Sequence, residues 1–239
     1  AQFLDIGETI SYEVQEIPFA PTFPFDGLAN VTNPNADDQW YPSGAMASLP
    51  FDFCFYGNLE QQYKVSSNGS LSFHVPAFQN TVPWQGNGIG LPHNNASHAL
   101  GYANINTPNH DIDPTQSSSE FIGWEVIGSS PNRVLAVSWS GVPMYGCTSS
   151  LATHMLVLYE TTNVIDIYIE NKPLCNSWDN GWAAVGIQND AGTEAVVPPN
   201  RNGDDPPWQA NNEAWRFIPT GPSIVSFSWL DSSGNVISN

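Results

Sequence analysis

Apolar and polar residues alternate with a period of two in many short stretches of this 239-residue chain, and no window sustains a helical period. Ile10, Tyr12 and Val14 interleave with Ser11, Glu13 and Gln15, which predicts a first strand. A second strand is read over 51–56. The stretch 63–74 reads as a hairpin turning at Asn68-Gly69, the dipeptide that tolerates positive φ at both central turn positions. Further strands are expected at 100–105, 121–127, 134–139, 182–188 and 215–218, and over 134–139 Leu135, Val137 and Trp139 face one way. Two long irregular stretches, 18–50 and 76–98, interrupt the series. Loops of that length in a compact domain either carry function or wrap over a sheet.

The stretch 144–175 is the most explicit. Two β-rich runs, 151–160 and 164–170, are separated by Thr161-Thr162-Asn163, a break suited to a hairpin turn. In the second run Ile165, Ile167 and Ile169 share a face opposite Asp166, Tyr168 and Glu170. Position 161 is also the midpoint between Cys147 and Cys175, so an antiparallel hairpin centred there sets the two cysteines opposite each other at its open end. A Cys147–Cys175 disulfide is therefore expected, and with it an oxidising compartment. The third cysteine, Cys54, sits in the strand-like run 51–56 and reads as a small buried hydrophobe.

Composition agrees with the patterning. Nine Trp, eight Tyr and twelve Phe accompany twenty Pro and nineteen Gly, so many short apolar runs are punctuated by turn residues. About ten strands with mostly hairpin-length connections predict an all-β fold, a two-sheet antiparallel sandwich of jelly-roll or lectin-like type with long loops. Residues 1–220 are expected to form that domain. Residues 221–239, with Val225, Phe227 and Trp229 alternating before a turn, read as a linker and the start of a following domain, or as a C-terminal strand. Five Lys+Arg against 23 Asp+Glu give a formal charge of −18. That balance excludes a nucleic-acid partner, which requires a basic footprint, and disfavours anionic lipid surfaces. No stretch is long and apolar enough to insert directly into a membrane as a helix. Excess carboxylate is a common solubility feature, and it also supplies the oxygen ligands that Ca²⁺ prefers.

Six ordered segments carry a resemblance. They are Phe51-Asp-Phe-Cys-Phe-Tyr-Gly57, Ser67-Asn-Gly-Ser-Leu-Ser-Phe73, His110-Asp-Ile-Asp-Pro114, the hairpin run from Val157 to Pro173, Gly186-Ile-Gln-Asn189 and Asn212-Glu-Ala-Trp-Arg-Phe217. Together they resemble nidogen-type extracellular domains of large Bacteroidetes surface proteins exported by type IX secretion, among them gliding-motility adhesins. The closing segment 227–236 is similar to the opening of the immunoglobulin-like repeats that follow in such proteins. The resemblance implies an extracellular sandwich at a bacterial cell surface or in secreted form, flanked by further domains of the same polypeptide. It implies an adhesive or scaffolding role and brings no catalytic residues with it.

The residues offer three candidate sites. If 109–113 is extended, Asn109, Asp111 and Asp113 project from one face and present three oxygens to a cation, with Ca²⁺ the candidate cofactor. Asp113 before Pro114 also suits a turn, and the residues themselves favour that reading because short acidic patterns recur by chance. Trp84, Trp178 and Trp208 lie in Asn- and Gly-rich stretches, and Trp208 follows Asp204 and Asp205; such loops can stack on a sugar and bind its hydroxyls, or cap the sandwich ends. Asp37-Asp38 before Trp40 has the same character.

The five histidines match no zinc-site spacing, no Gly-x-Ser-x-Gly elbow is present, and nothing pairs two strand carboxylates across a cleft. The expected function is non-catalytic: an extracellular adhesion or binding module for a glycan or surface-protein ligand, with Ca²⁺ support for its loops. The alternatives are a secreted polysaccharide-acting hydrolase and a purely structural cap or spacer.

Overall fold

The computed structural model describes residues 10–31, 36–75, 81–82, 89–94, 102–116, 121–220, 229–230 and 236–238. In chain order the strands are β1 (Ser11–Glu16), β2 (Asn30–Val31), β3 (Trp40–Tyr41), β4 (Ala47–Phe55), β5 (Asn58–Ser66), β6 (Ser70–His74), β7 (Tyr102–Asn109) and β8 (Phe121–Ile127). They continue as β9 (Val134–Met144), β10 (Cys147–Tyr159), β11 (Ile165–Lys172), β12 (Ala184–Gln188), β13 (Ala195–Val196), β14 (Ala210–Thr220), β15 (Trp229–Leu230) and β16 (Val236–Ser238). Among the described residues the only helical element is a single 3₁₀ turn, Asp179–Gly181.

Two seven-stranded antiparallel sheets pack face to face, as the alternating pattern requires. The first runs β1-β14-β11-β10-β9-β8-β2; the second runs β13-β12-β7-β6-β5-β3, with β4 also paired to β5. The core between them takes Leu135, Val137 and Trp139 from β9, Leu156 and Leu158 from β10, and Ile165, Ile167 and Ile169 from β11. The opposing sheet contributes Phe53, Phe55, Val65, Leu71, Ile105, Val185 and Ile187. Each fully buried aliphatic side chain here stabilises the fold by roughly 1.5–3 kcal/mol. Trp139, fully buried, also donates its indole N–H across the gap to the Ser66 carbonyl at 2.8 Å, so the two layers are hydrogen-bonded as well as packed.

The long stretch after β1 covers the outer face of the first sheet. Phe19, Phe23 and Phe25 pack against Met155, Val157 and Tyr168, and the Ser138 hydroxyl donates to the Phe25 carbonyl at 2.6 Å. This explains why β10 is apolar on both faces over Met155–Leu158, where alternation fails. Beneath the same cover, Asp166 accepts both arms of Arg216, at 2.7 and 2.6 Å, and the hydroxyls of Tyr159 and Tyr168.

The β10–β11 hairpin pairs Leu158 with Ile165 down to His154 with Ile169, and a bulge follows at Thr153. Cys147 and Cys175 are bonded at its open end, with Cα atoms 5.7 Å apart. Cys54 is buried and takes no part in the disulfide.

The β5–β6 turn has Gly69 at φ +81, and a Cβ there would run into the Pro108 carbonyl and the His154 ring. Glycine is therefore required both for the backbone conformation and for the close approach of this turn to β7. β15 and β16 pair with each other as a separate two-stranded unit. Among the described residues no helix is long and apolar enough to cross a membrane. Predicted strand 100–105 lies partly outside the described residues, as do most of 224–230 and much of loop 76–98.

Candidate functional site

The loops meeting at one end of the sandwich enclose a cavity of about 220 Å³ lined by Asp37, Asp38, Asp111, Tyr145 and Trp178. Four chain segments build it. Asp37 and Asp38 lie just before edge strand β3, and Asp38 sits at φ +51, a conformation that its short polar side chain tolerates. The Asp38 carbonyl accepts from Val82 N–H at 2.8 Å, and its carboxylate accepts from the Asn68 amide at 2.8 Å. The loop is thereby clamped to the β5–β6 turn.

Asp111 arrives from the second sheet. Beyond β7 the chain crosses to the first sheet, where Ile112 bridges to Met144, Asp113 N–H donates to the Pro143 carbonyl at 2.8 Å, and Tyr145 N–H donates to the Asp111 carbonyl at 3.1 Å. This crossing sets Asp111 at the seam between the layers, buried with 7% exposure.

The aromatic wall comes from either side of the disulfide. Tyr145 is two residues before Cys147 and Trp178 three after Cys175; their rings meet edge to face at 4.8 Å. The Trp178 indole N–H donates to Asp111 Oδ2 at 2.8 Å.

One carboxylate oxygen from each of Asp37, Asp38 and Asp111 lies within 4.8 Å of the others. Oxygens bound to one Ca²⁺ at 2.3–2.6 Å are never more than about 5 Å apart, so the three fit a single coordination sphere. Among the described residues no basic side chain lines the pocket. The five basic residues are Lys64, Arg133, Lys172, Arg201 and Arg216. Arg133, Arg201 and Arg216 are committed to Glu160, Glu213 and Asp166, and Lys172 to the carbonyls of Gly181 and Trp208. Among the described ion pairs none involves the three aspartates.

The electrostatic consequence is strain. Burial, with Asp38 and Asp113 adding repulsion, pushes the Asp37 carboxyl up to about 7. Burial also pushes Asp111 up to about 7, reinforced by Asp38, Asp37 and Asp113 and opposed by the Trp178 hydrogen bond. Asp38 moves in the same direction through burial, with the Asn68 amide opposing. Carboxylates held this close either share protons or share a cation.

The structure separates the three residues that sequence spacing grouped. Asp111 is in the pocket. Asn109 turns to Ser70, donating to its hydroxyl at 2.6 Å. Asp113 organises the following turn, accepting from Thr115 N–H at 2.8 Å, its hydroxyl at 2.6 Å and the Gln116 amide at 2.6 Å, although its charge is still felt by Asp37, Asp38 and Asp111.

Of the candidate tryptophans, Trp178 lines the pocket. Trp208 is buried, with Lys172 and Arg201 stacked on its ring at 4.8 and 4.5 Å and its indole N–H on the Ala183 carbonyl. Trp84 lies outside the described residues. Asp205 accepts from Asn202 N–H at 2.7 Å in its own loop, and Asp204 lies beside Gly90; neither joins the pocket. Tyr145 carried no sequence signal, since an aromatic residue before a glycine is unremarkable in a β protein.

A family profile described as NIDO related matches residues 12–228, nearly the whole sandwich. The chain belongs to the NIDO-related family. Members of this family are extracellular modules rather than enzymes, in keeping with the disulfide. No curated protein and no solved structure matches the chain. In this NIDO-related domain the acidic pocket brings together three carboxylates that could hold a metal ion.

Proposed function

We propose that this NIDO-related domain is a non-catalytic extracellular adhesion module whose acidic pocket holds a divalent cation, with Ca²⁺ the best match to an all-oxygen donor set. The observation that carries the reading is the convergence of Asp37, Asp38 and Asp111 within 4.8 Å, in a cavity where no basic side chain offsets them. A bound cation would relieve their repulsion and lock the loop before β3 to the segment that follows β7. The half-exposed face of Tyr145 beside it would then be presented to a glycan or a surface protein. The resemblance to bacterial surface adhesins supports a place within a larger cell-surface polypeptide exported by type IX secretion.

The test is a thermal melt in EDTA and in excess Ca²⁺. Ca²⁺ at 100 times its Kd stabilises by about 2.7 kcal/mol, and Asp111→Asn abolishes most of that gain. Identical midpoints in EDTA and millimolar Ca²⁺ would sink the cation reading.

A further inference from the structure

Beyond holding the β10–β11 hairpin closed, the disulfide lies against the pocket. The residues that build the aromatic wall are those that flank its two sulfurs. Tyr145 and Gly146 run directly into Cys147, while Ser177 and Trp178 follow directly from Cys175. The two flanks are laced together. Ser177 donates its hydroxyl to the Gly146 carbonyl at 2.9 Å, and Gly146 at φ +72 lies so close that a Cβ there would be 2.8 Å from Trp178 Cβ, while within the second flank Trp178 N–H donates to the Cys175 carbonyl at 3.3 Å. The far end of Trp178 then reaches Asp111 Oδ2.

A continuous path of covalent and hydrogen bonds thus leads from the sulfur pair through the indole to the most buried carboxylate of the pocket. Strand β11 ends at Lys172, so the chain carrying Trp178 is no longer held by the sheet ladder where it reaches the pocket. The crosslink at Cys175 is the nearest fixed point.

We propose that the Cys147–Cys175 disulfide is a positioning element of the pocket, holding Trp178 on Asp111 so that ligand binding there depends on the oxidised state. The cation part of this inference rests on the reading in the preceding section; the positioning part does not. Cutting the crosslink frees the 173–178 segment, Asp111 loses its indole donor, and the carboxylates lose the preorganisation that binding needs. The charged hydrogen bond alone accounts for about a tenfold loss of affinity or more.

The test compares wild type with the Cys147→Ser/Cys175→Ser protein by two readouts. In ¹⁵N spectra the Trp178 indole resonance, assigned through Trp178→Phe, is expected to shift and to exchange faster in the double-serine protein. The Trp139 indole resonance, deep in the core, stays in place. Tb³⁺, titrated as a Ca²⁺ surrogate by isothermal calorimetry, is expected to bind about tenfold more weakly to the double-serine protein. It binds more weakly also to Trp178→Phe, which keeps the disulfide and loses only the donor.

By linkage the wild-type disulfide becomes harder to reduce when Ca²⁺ is present, by about 30 mV for each tenfold of coupling. In that measurement a dithiol gives one electron and one proton to each protein sulfur and closes on its own disulfide. An unmoved Trp178 resonance overturns the proposal. So does loss of the Trp139 resonance along with it, because the crosslink then serves the whole sandwich and not the pocket. A shifted Trp178 resonance in a protein that binds no Tb³⁺ keeps the positioning role and rejects the cation.

Discussion

Removing the disulfide by Cys147→Ser/Cys175→Ser has a calculable effect on stability. The crosslink closes a loop with a sequence separation of 28. Chain-entropy arithmetic for that separation gives about 3.6 kcal/mol at 25 °C, from constraint of the unfolded chain. A second contribution comes from Cys175, which is 1% exposed and would become a buried hydroxyl, costing about 1 kcal/mol unless it finds a partner. The expected loss is therefore about 3.5–4.5 kcal/mol. For a domain of this size 1 kcal/mol moves the melting point by about 2–4 °C, so the midpoint should fall by about 7–18 °C. Chemical denaturation of both proteins at one pH, with the m-value compared, is the cleaner assay, because a changed m-value exposes a changed unfolded state. A loss below about 1 kcal/mol at constant m-value would refute the reasoning, since the unfolded chain would then not be measurably constrained by the crosslink.

Two further perturbations test the electrostatics. The carboxyls of Asp37 and Asp111 are held up to about 7, so the folded state keeps protons that the unfolded state has released. Raising the pH from about 4 to about 7 must therefore withdraw stability from the cation-free protein. Melts in EDTA should show a higher midpoint at pH 5 than at pH 8, flattened by Asp37→Asn/Asp111→Asn; a midpoint that rises across that range in EDTA and is unaffected by the substitutions contradicts the assignment. Lys172 is fully buried and donates to the carbonyls of Gly181 and Trp208, so Lys172→Met should cost about 2–4 kcal/mol in urea unfolding by leaving both oxygens without that donor. An unchanged urea midpoint would show that the methionine variant repacks around them.

Which parts of the molecule were legible beforehand follows from the range of the forces involved. The hairpin at Asn68-Gly69, the alternation of Ile165, Ile167 and Ile169 and the pairing of Cys147 with Cys175 are matters of neighbours and near neighbours, and each is found in the structure. The extent of β10 and β14 was less legible. β10 begins at Cys147 and β14 at Ala210, earlier than the alternation implies, because polar residues there are held by the adjoining strands and not by burial of a face. The length of the 18–50 stretch points to a loop that either carries function or wraps over a sheet, and only packing reveals that its phenylalanines cover the outside of the first sheet.

The sequence by itself determined an acidic all-β sandwich, a disulfide-closed hairpin and Asp111 as a residue to watch, because period-two burial, turn chemistry and loop symmetry are all local. Tertiary structure alone decided the company Asp111 keeps. Asn109 and Asp113, its neighbours at strand spacing, are drawn off by Ser70 and by Asp113's own turn, since a short polar side chain takes the nearest backbone or hydroxyl partner. Asp37 with Asp38, Tyr145 and Trp178 come from three other places in the chain, and they meet only because the chain after β7 crosses from one sheet to the other and the disulfide joins the two segments that carry the aromatic rings.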